Sequence, residues 1–298
     1  MQNVEWRYAG FQSSICNPQS AMIRLLAVDI DGTLLDSRAQ LPERNKAALQ
    51  AAHRAGIEVA LVTGRRYPFA LPIAEQLGFE HVLIASNGAV IKSTGGRSYV
   101  RHLLARSTAE RAIAHTRPWR TFTMLAFDIE GKGQIVMETL DNRTPGFLKW
   151  YEKNAAFVVL QPLETALTSD PLQVMYSGPL VVMREIAAAL DEAPFRADFQ
   201  LTKTFYEVRD LGIMDLIHPA CSKGSGLKEW AERCGIPREQ VMAVGDNFND
   251  LEMLEYAGVP VVMGNAVPEL QGDGRRVTLD NDSAGLAVAI ERWALPCA

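Results

Sequence analysis

The chain has 298 residues, 48% of them hydrophobic, and a formal net charge of −5. That is enough apolar material for one large domain or two smaller ones with a real core. The mild acidity argues against nucleic-acid and anionic-membrane partners, and no apolar run approaches the roughly 20 residues of a membrane span.

Residues 1–21 mix Gln, Asn, Ser, Pro and aromatics without periodicity or a secretory pattern, and read as an extension that is poorly ordered or lies on the surface. The apolar run Leu25-Leu26-Ala27-Val28 then ends in Asp29-Ile30-Asp31-Gly32-Thr33. It reads as a buried strand with two carboxylates at its end, spaced i, i+2 and so facing one side of an extended backbone. Two negative charges held together call for a cation or a proton to offset them. Leu41-Pro42-Glu43 opens a helix that passes through Ala47, Leu49 and Ala52 and stops near Gly56. A strand over Ile57–Val62 ends in Thr63-Gly64-Arg65, a helix follows from about Pro68 to Leu77, and a third strand, Val82–Ala85, ends in Ser86-Asn87-Gly88. Strand–helix alternation with short loops implies an α/β domain built on a parallel sheet.

The rhythm changes after residue 89. Ser93-Thr94-Gly95-Gly96 reads as a hairpin turn, and Thr121–Ile129 and Gln134–Thr139 as an antiparallel pair of strands. Helical segments near Thr108–Thr116, Pro145–Lys153 and Pro179–Leu190 are interleaved with strands near Val158, Val174 and Phe205–Val208. Residues 90–216 therefore read as an α+β domain inserted into the first, with crossings expected near Asn87-Gly88 and Pro219–Ser222. Alternation resumes with a helix from about Lys223 to Cys234 and a strand Val241–Val244 leading into Gly245-Asp246-Asn247-Phe248-Asn249-Asp250. Helix Leu251–Tyr256, strand Val259–Met263 and a last helix near Ser283–Trp293 complete the chain. In that last helix Leu286, Ala289, Ile290 and Trp293 recur at helical spacing and read as core. Cys16, Cys221, Cys234 and Cys297 show no CxxC pairing, so thiols in a reducing cytoplasm are expected rather than a zinc site or a disulfide framework.

Four separated pieces share one property: each lies where a core strand stops or a helix starts. They are Asp29-Ile30-Asp31-Gly32-Thr33, Thr63-Gly64-Arg65, Ser222-Lys223-Gly224 and Gly245-Asp246-Asn247-Phe248-Asn249-Asp250. In a parallel sheet these ends converge on one edge, where open α/β sheets bind ligands. Carboxylates suit a hard cation such as Mg²⁺; a hydroxyl, a lysine, an amide and loop N–H groups suit a phosphate.

In order and spacing these pieces resemble those of the haloacid dehalogenase (HAD) superfamily of aspartate-nucleophile phosphatases. The inserted region and the wording Asp246-Asn247-Phe248-Asn249-Asp250-Leu251-Glu252-Met253-Leu254 resemble its Cof-like hydrolase subgroup. The resemblance implies a Rossmann-like three-layer core (22–89 and 217–298) with an inserted α+β cap (90–216) that selects substrate. It implies a Mg²⁺-dependent phosphatase for small phosphorylated metabolites: sugar phosphates, phosphorylated cofactors or nucleotides. Asp29 would be the nucleophile, and Asp31 the proton carrier in a less charged setting. Asp29, Asp246 and the main-chain carbonyl of Asp31 would hold the metal. Thr63, Gly64, Lys223 and Asn249 would bind phosphate, and Asp250 would orient Lys223 or a metal-bound water from behind. The same motifs serve a phosphotransferase or phosphomutase, and a phosphometabolite-binding module without turnover is a third reading. Arg101, His102, Arg143 and Arg209 are the candidates in the insertion for a second anionic group of the substrate. The sequence fixes no oligomeric state.

Overall fold

The computed structural model describes residues 22–141, 143–272 and 275–295, so the expectations about residues 1–21, Cys16 and Cys297 lie outside the described residues. Two sheets organise the chain. The first contains β1 (Leu25–Asp29), β2 (Glu58–Val62), β3 (Val82–Ala85), β4 (Val90–Ser93), β5 (Ser98–Arg101), β12 (Val241–Gly245), β13 (Val259–Val262) and β14 (Arg276–Val277), in the order β14-β13-β12-β1-β2-β3-β4-β5. From β14 to β3 every pairing is parallel, while β4 and β5 add an antiparallel edge.

The strand β1 is buried throughout because both of its faces are covered. Leu26 and Val28 pack in one cluster with Leu49 and Ala52 of helix α1 (Glu43–Arg54), Ala70 of α2 (Tyr67–Ala74) and Leu286 and Ile290 of α9 (Gly285–Trp293). Leu25 and Ala27 face the other way, toward Leu227 and Trp230 of α7 (Lys223–Arg233) and Met253 and Leu254 of α8 (Leu251–Tyr256). The period-2 alternation of the strand thus divides one apolar run between two helical layers. Of the set expected as core in the last helix, Leu286, Ala289 and Ile290 are fully buried, and Trp293 packs partly buried against them.

The second sheet has the order β10-β11-β9-β6-β7-β8, built from β6 (Thr123–Ala126), β7 (Ile135–Met137), β8 (Val158–Leu160), β9 (Gln173–Gly178), β10 (Gln200–Tyr206) and β11 (Leu211–Ile217). One face packs on α3 (Arg106–His115) and α6 (Leu180–Asp191) through Leu125, Val174, Tyr176, Met214 and Leu216. The opposite face carries Met124 and Met175, which join Phe69 of α2 and Phe147 and Trp150 of α4 (Pro145–Asn154). A short helix, α5 (Leu163–Ala166), follows β8. The expected hairpin is present: β6 and β7 pair antiparallel, Leu125 opposite Val136.

Two expectations need correction. Residues 90–101 were assigned to the insertion, yet β4 and β5 hydrogen-bond onto the edge of the first sheet, Ile84 opposite Ile91 and Ile91 opposite Val100. The chain therefore crosses between the sheets after Arg101, through His102–Ala105, and not at Asn87-Gly88. The reason is local: the turn at Ser86–Gly88 reverses the chain beside β3, and a hairpin continues the sheet. Consequently the first sheet is mixed rather than wholly parallel. The chain returns to the first sheet's helices through His218–Ser222, after β11 ends at Ile217. Among the described residues no helix is long and apolar enough to cross a membrane.

Candidate active site

The ends of β1, β2 and β12 and the start of α7 meet at one edge of the first sheet. Val28 lies opposite Val244, and Asp29 opposite Val62, which brings the residues that follow these strands together: Asp31, Thr63 and Asp246. Asp29 is the last residue of β1 and is buried. The turn after it requires Gly32, whose φ is +85°; a side chain there would also place Cβ 2.8 Å from Asp246 Cγ. Thr33, buried in the same turn, donates its hydroxyl to Asp246 Oδ1 at 2.8 Å.

Lys223 begins α7. Its backbone is fixed by a capping box, in which Ser222 Oγ accepts from Ser225 N at 3.0 Å and Ser225 Oγ from Ser222 N at 2.8 Å. The ammonium is buried and donates to Asp29 Oδ1 and to Asp250 Oδ1, both at 2.6 Å. The other oxygen of Asp250 accepts from the backbone N–H groups of Asp246 (2.9 Å) and Asn247 (3.0 Å). Both oxygens of Asp250 are thus engaged, one by Lys223 and the other by the Asp246 loop. Gly245 permits that approach, since a Cβ there would lie 2.6 Å from Asp250 Cβ.

Asp29, Asp246 and Asp250 offer oxygens that all lie within 4.8 Å of one another. Burial, then the neighbouring Asp250, pushes the Asp29 carboxyl well above the ordinary range, against the pull of Lys223. Burial and Asp250 push Asp246 up to about 6. Lys223 is driven upward, because its two carboxylate partners outweigh its burial. Three carboxylates against one ammonium leave an excess of negative charge in a buried place. The donor set is entirely hard oxygen and so fits a divalent cation of the Mg²⁺ class. With Asp250 engaged elsewhere, Asp29 and Asp246 are the carboxylates left to hold it.

Thr63 is buried directly after β2; its Oγ1 accepts from Arg65 N at 3.0 Å, which leaves its hydroxyl proton to donate. Gly64 and Asn249 line the same cavity, Asn249 exposed at the mouth. Asp31 departs from expectation. Its carboxylate is half-exposed and held by Arg65, with Arg65 Nε 2.7 Å from Oδ2 and Nη2 2.5 Å from Oδ1. Those hydrogen bonds hold the Arg65 guanidinium more firmly charged than usual. The setting is therefore charged, because the loop after β2 lies beside the turn after β1 and delivers Arg65 into it.

A cavity of about 1060 Å³ runs from Asp29, Asp31 and Lys223 to the open face of the second sheet. Alternate residues of three strands roof it: Gln173, Met175 and Ser177 of β9, Thr202, Thr204 and Tyr206 of β10, and Leu211, Ile213 and Asp215 of β11. Of the four cap candidates, only Arg209 lies on its wall. Arg101 pairs with Asp128 at 2.7 Å, His102 with Glu229 at 2.8 Å, and Arg143 is buried with its guanidinium 4.2 Å from the Phe147 centroid. Sequence reasoning missed Thr33, Arg66, Gln173 and Asp215; the alternation Gln173-Val174-Met175-Tyr176-Ser177 was the one signal available for the roof.

A family model described as haloacid dehalogenase-like hydrolase matches residues 26–290. The chain belongs to the haloacid dehalogenase-like hydrolases. Within that family it is a phosphatase of the Cof-like type. It is 30% identical over 284 residues to phosphatase YwpJ of Bacillus subtilis, covering 89% of this chain and 98% of that protein. It is 31% identical over 272 residues to a phosphoglycolate phosphatase of Methanothermobacter thermautotrophicus, covering 91% and 99%. A solved haloacid dehalogenase-like hydrolase from Bacteroides thetaiotaomicron superposes with a TM-score of 0.76 at 25% identity, over 91% of this chain and 99% of that one. In this hydrolase the two free cysteines among the described residues, Cys221 and Cys234, are buried and part-buried, and neither lines the cavity.

Proposed function

We propose that this phosphatase hydrolyses small phosphorylated metabolites, such as sugar phosphates, phosphorylated cofactors or nucleotides, with Mg²⁺ and through an aspartyl phosphate on Asp29. One observation carries the reading: Asp29 is buried on the cavity wall, with Lys223 2.6 Å from its Oδ1 and Asp246 beside it. Asp29, Asp246 and the main-chain carbonyl of Asp31 would hold Mg²⁺, which when bound screens the approach of a carboxylate to an anionic phosphate.

The chain's own groups supply the rest. An Asp29 oxygen attacks phosphorus as the ester P–O bond breaks, and Asp31 gives its proton to the departing oxygen. Asp31 then takes a proton from the water that attacks the phosphorus, which releases inorganic phosphate and restores Asp29. Thr63, the Gly64 N–H and Asn249 donate to the phosphate oxygens, and Lys223 offsets the charge that gathers there. For Asp31 to hold a proton it has to part from Arg65; the arriving phosphate is the anion that competes for that guanidinium.

Phosphate release from p-nitrophenyl phosphate tests the reading. Release is expected with Mg²⁺ and no acceptor alcohol, and EDTA should abolish it. Activity that persists without divalent metal removes the cation from the account, and transfer only to an added sugar replaces hydrolysis by phosphotransfer.

A further inference from the structure

We propose that the roof of the cavity selects an uncharged, hydroxylated leaving group, gripped by Asp215, Gln173 and Arg66. This deepens the phosphatase reading and rests on it. The three side chains share one cavity wall with Asp29 and Lys223. Arg66 is 4% exposed and Gln173 1%. Arg66 reaches up from the first sheet, donating Nη1 to the carbonyl of Gln134 at 3.2 Å, and its Nη2 is buried without a partner. Gln173 donates Nε2 to Asp215 Oδ1 at 2.8 Å, and its Oε1 is likewise buried without a partner. Below them Asn87 donates Nδ2 to Thr202 Oγ1 at 3.3 Å and leaves Oδ1 unmatched.

A buried polar atom left unmatched has lost its water without gaining a partner. The residues of this wall hold one unmatched donor and two unmatched acceptors, and small rotations of these side chains would offer them to a ligand whose groups both donate and accept. Hydroxyl groups do so. Charge narrows the choice further. Arg66 has no carboxylate within ion-pair distance among the described residues, yet Arg66 and Asp215 shift each other's titration in the directions opposite charges produce. Burial holds Asp215 at about 7, so near pH 8 the pair sums to zero. A second phosphate or a carboxylate placed there would meet Asp215 as well as Arg66. Arg209 and Asp210, the other charged residues of the cap on this wall, are exposed at the mouth. Phe69, Met124, Trp150 and Met175 offer an apolar surface for the carbon face of such a group.

The test compares kcat/KM for a hexose 6-phosphate and a hexose 1,6-bisphosphate near pH 8 with Mg²⁺. The wild-type enzyme should favour the monophosphate at least about tenfold. Asp215→Asn leaves a net positive roof and should move that ratio at least tenfold toward the bisphosphate, chiefly through KM. Arg66→Met leaves a net negative roof and should move it the other way. Circular dichroism and melting establish which variants are folded, and either one suffices. The proposal fails if the wild-type enzyme prefers the bisphosphate, if it turns over no hydroxylated monophosphate, or if a folded variant leaves the ratio unmoved. Wild-type release of phosphate from acetyl phosphate, whose leaving group is too small to span the cavity, tests the underlying phosphatase reading separately. No release there sinks that reading, whereas release with an unmoved ratio sinks only the clamp.

Discussion

Replacing Lys223 by Met removes the one ammonium from a buried cluster while keeping the length of the side chain. In the native structure its Nζ lies 2.6 Å from both Asp29 Oδ1 and Asp250 Oδ1, and the three side chains are 2%, 5% and 0% exposed. Water cannot take its place, so both carboxylates lose their neutralising partner. Removing one member of a buried charge pair costs about 3–5 kcal/mol, which for a domain of this size lowers Tm by roughly 10 °C. The loss should depend on pH in a definite direction. Asp29 is already raised by burial and Asp250, with Lys223 working against them; without Lys223 it rises further. A carboxyl whose pKa is higher folded than unfolded gives its stabilisation in full below the unfolded value, near about 4, and loses it as pH rises through the folded value. The deficit of Lys223→Met relative to wild type should therefore be larger at pH 8 than at pH 5. Urea unfolding in EDTA at both pH values measures it. A deficit under 1 kcal/mol at pH 8, or one of equal size at pH 5, would refute the charge argument.

Gly32→Ala should weaken Mg²⁺ or Mn²⁺ binding at least tenfold in titration calorimetry, because its Cβ presses on the Asp246 carboxylate and its φ of +85° strains the turn; an unchanged affinity would show that Asp246 does not hold the metal. Asp31→Asn should slow breakdown of the phosphoenzyme more than its formation, so that protein-bound phosphate accumulates in a rapid quench; turnover at the wild-type rate would take the proton-carrier role away from Asp31. Asp215, held at about 7 by burial, gives stability that is complete below about pH 4 and lost as pH rises through 7. Asp215→Asn should therefore gain on wild type by a few kcal/mol between pH 5 and pH 8.5 in urea unfolding, and a constant difference would contradict the buried-carboxyl argument.

The edge that carries the candidate site was legible because a short covered strand leaves few ways to dispose of polar residues at its end. Asp29, Thr63 and Asp246 each follow an apolar run, so finding the strands located the residues. Lys223 was legible from its place at the start of a helix, in the piece Ser222-Lys223-Gly224. Arg65 was quoted in its motif, but its hold on Asp31 depends on how two turns pack, and spacing along the chain carries no trace of that. The roof was least legible. Its strands are short, and β11 was not separated from its surroundings because Gly212 and Asp215 interrupt the apolar pattern. Asp215 looks like a surface residue until the register sets it opposite Thr202 and beside Gln173. The β4–β5 edge was assigned to the insertion for a similar reason: a hairpin turn signals a hairpin, and says nothing about which sheet the hairpin joins.

The central claim is that the phosphoryl group passes through Asp29. Quenching the enzyme in acid during turnover, reducing with borohydride and reading the peptide that spans Leu25–Thr33 by mass spectrometry tests it most directly. An acyl phosphate at this position is reduced to homoserine, and the account predicts homoserine at residue 29 only when substrate is present. Steady turnover with residue 29 unmodified, or with phosphate on a serine or histidine instead, would contradict it.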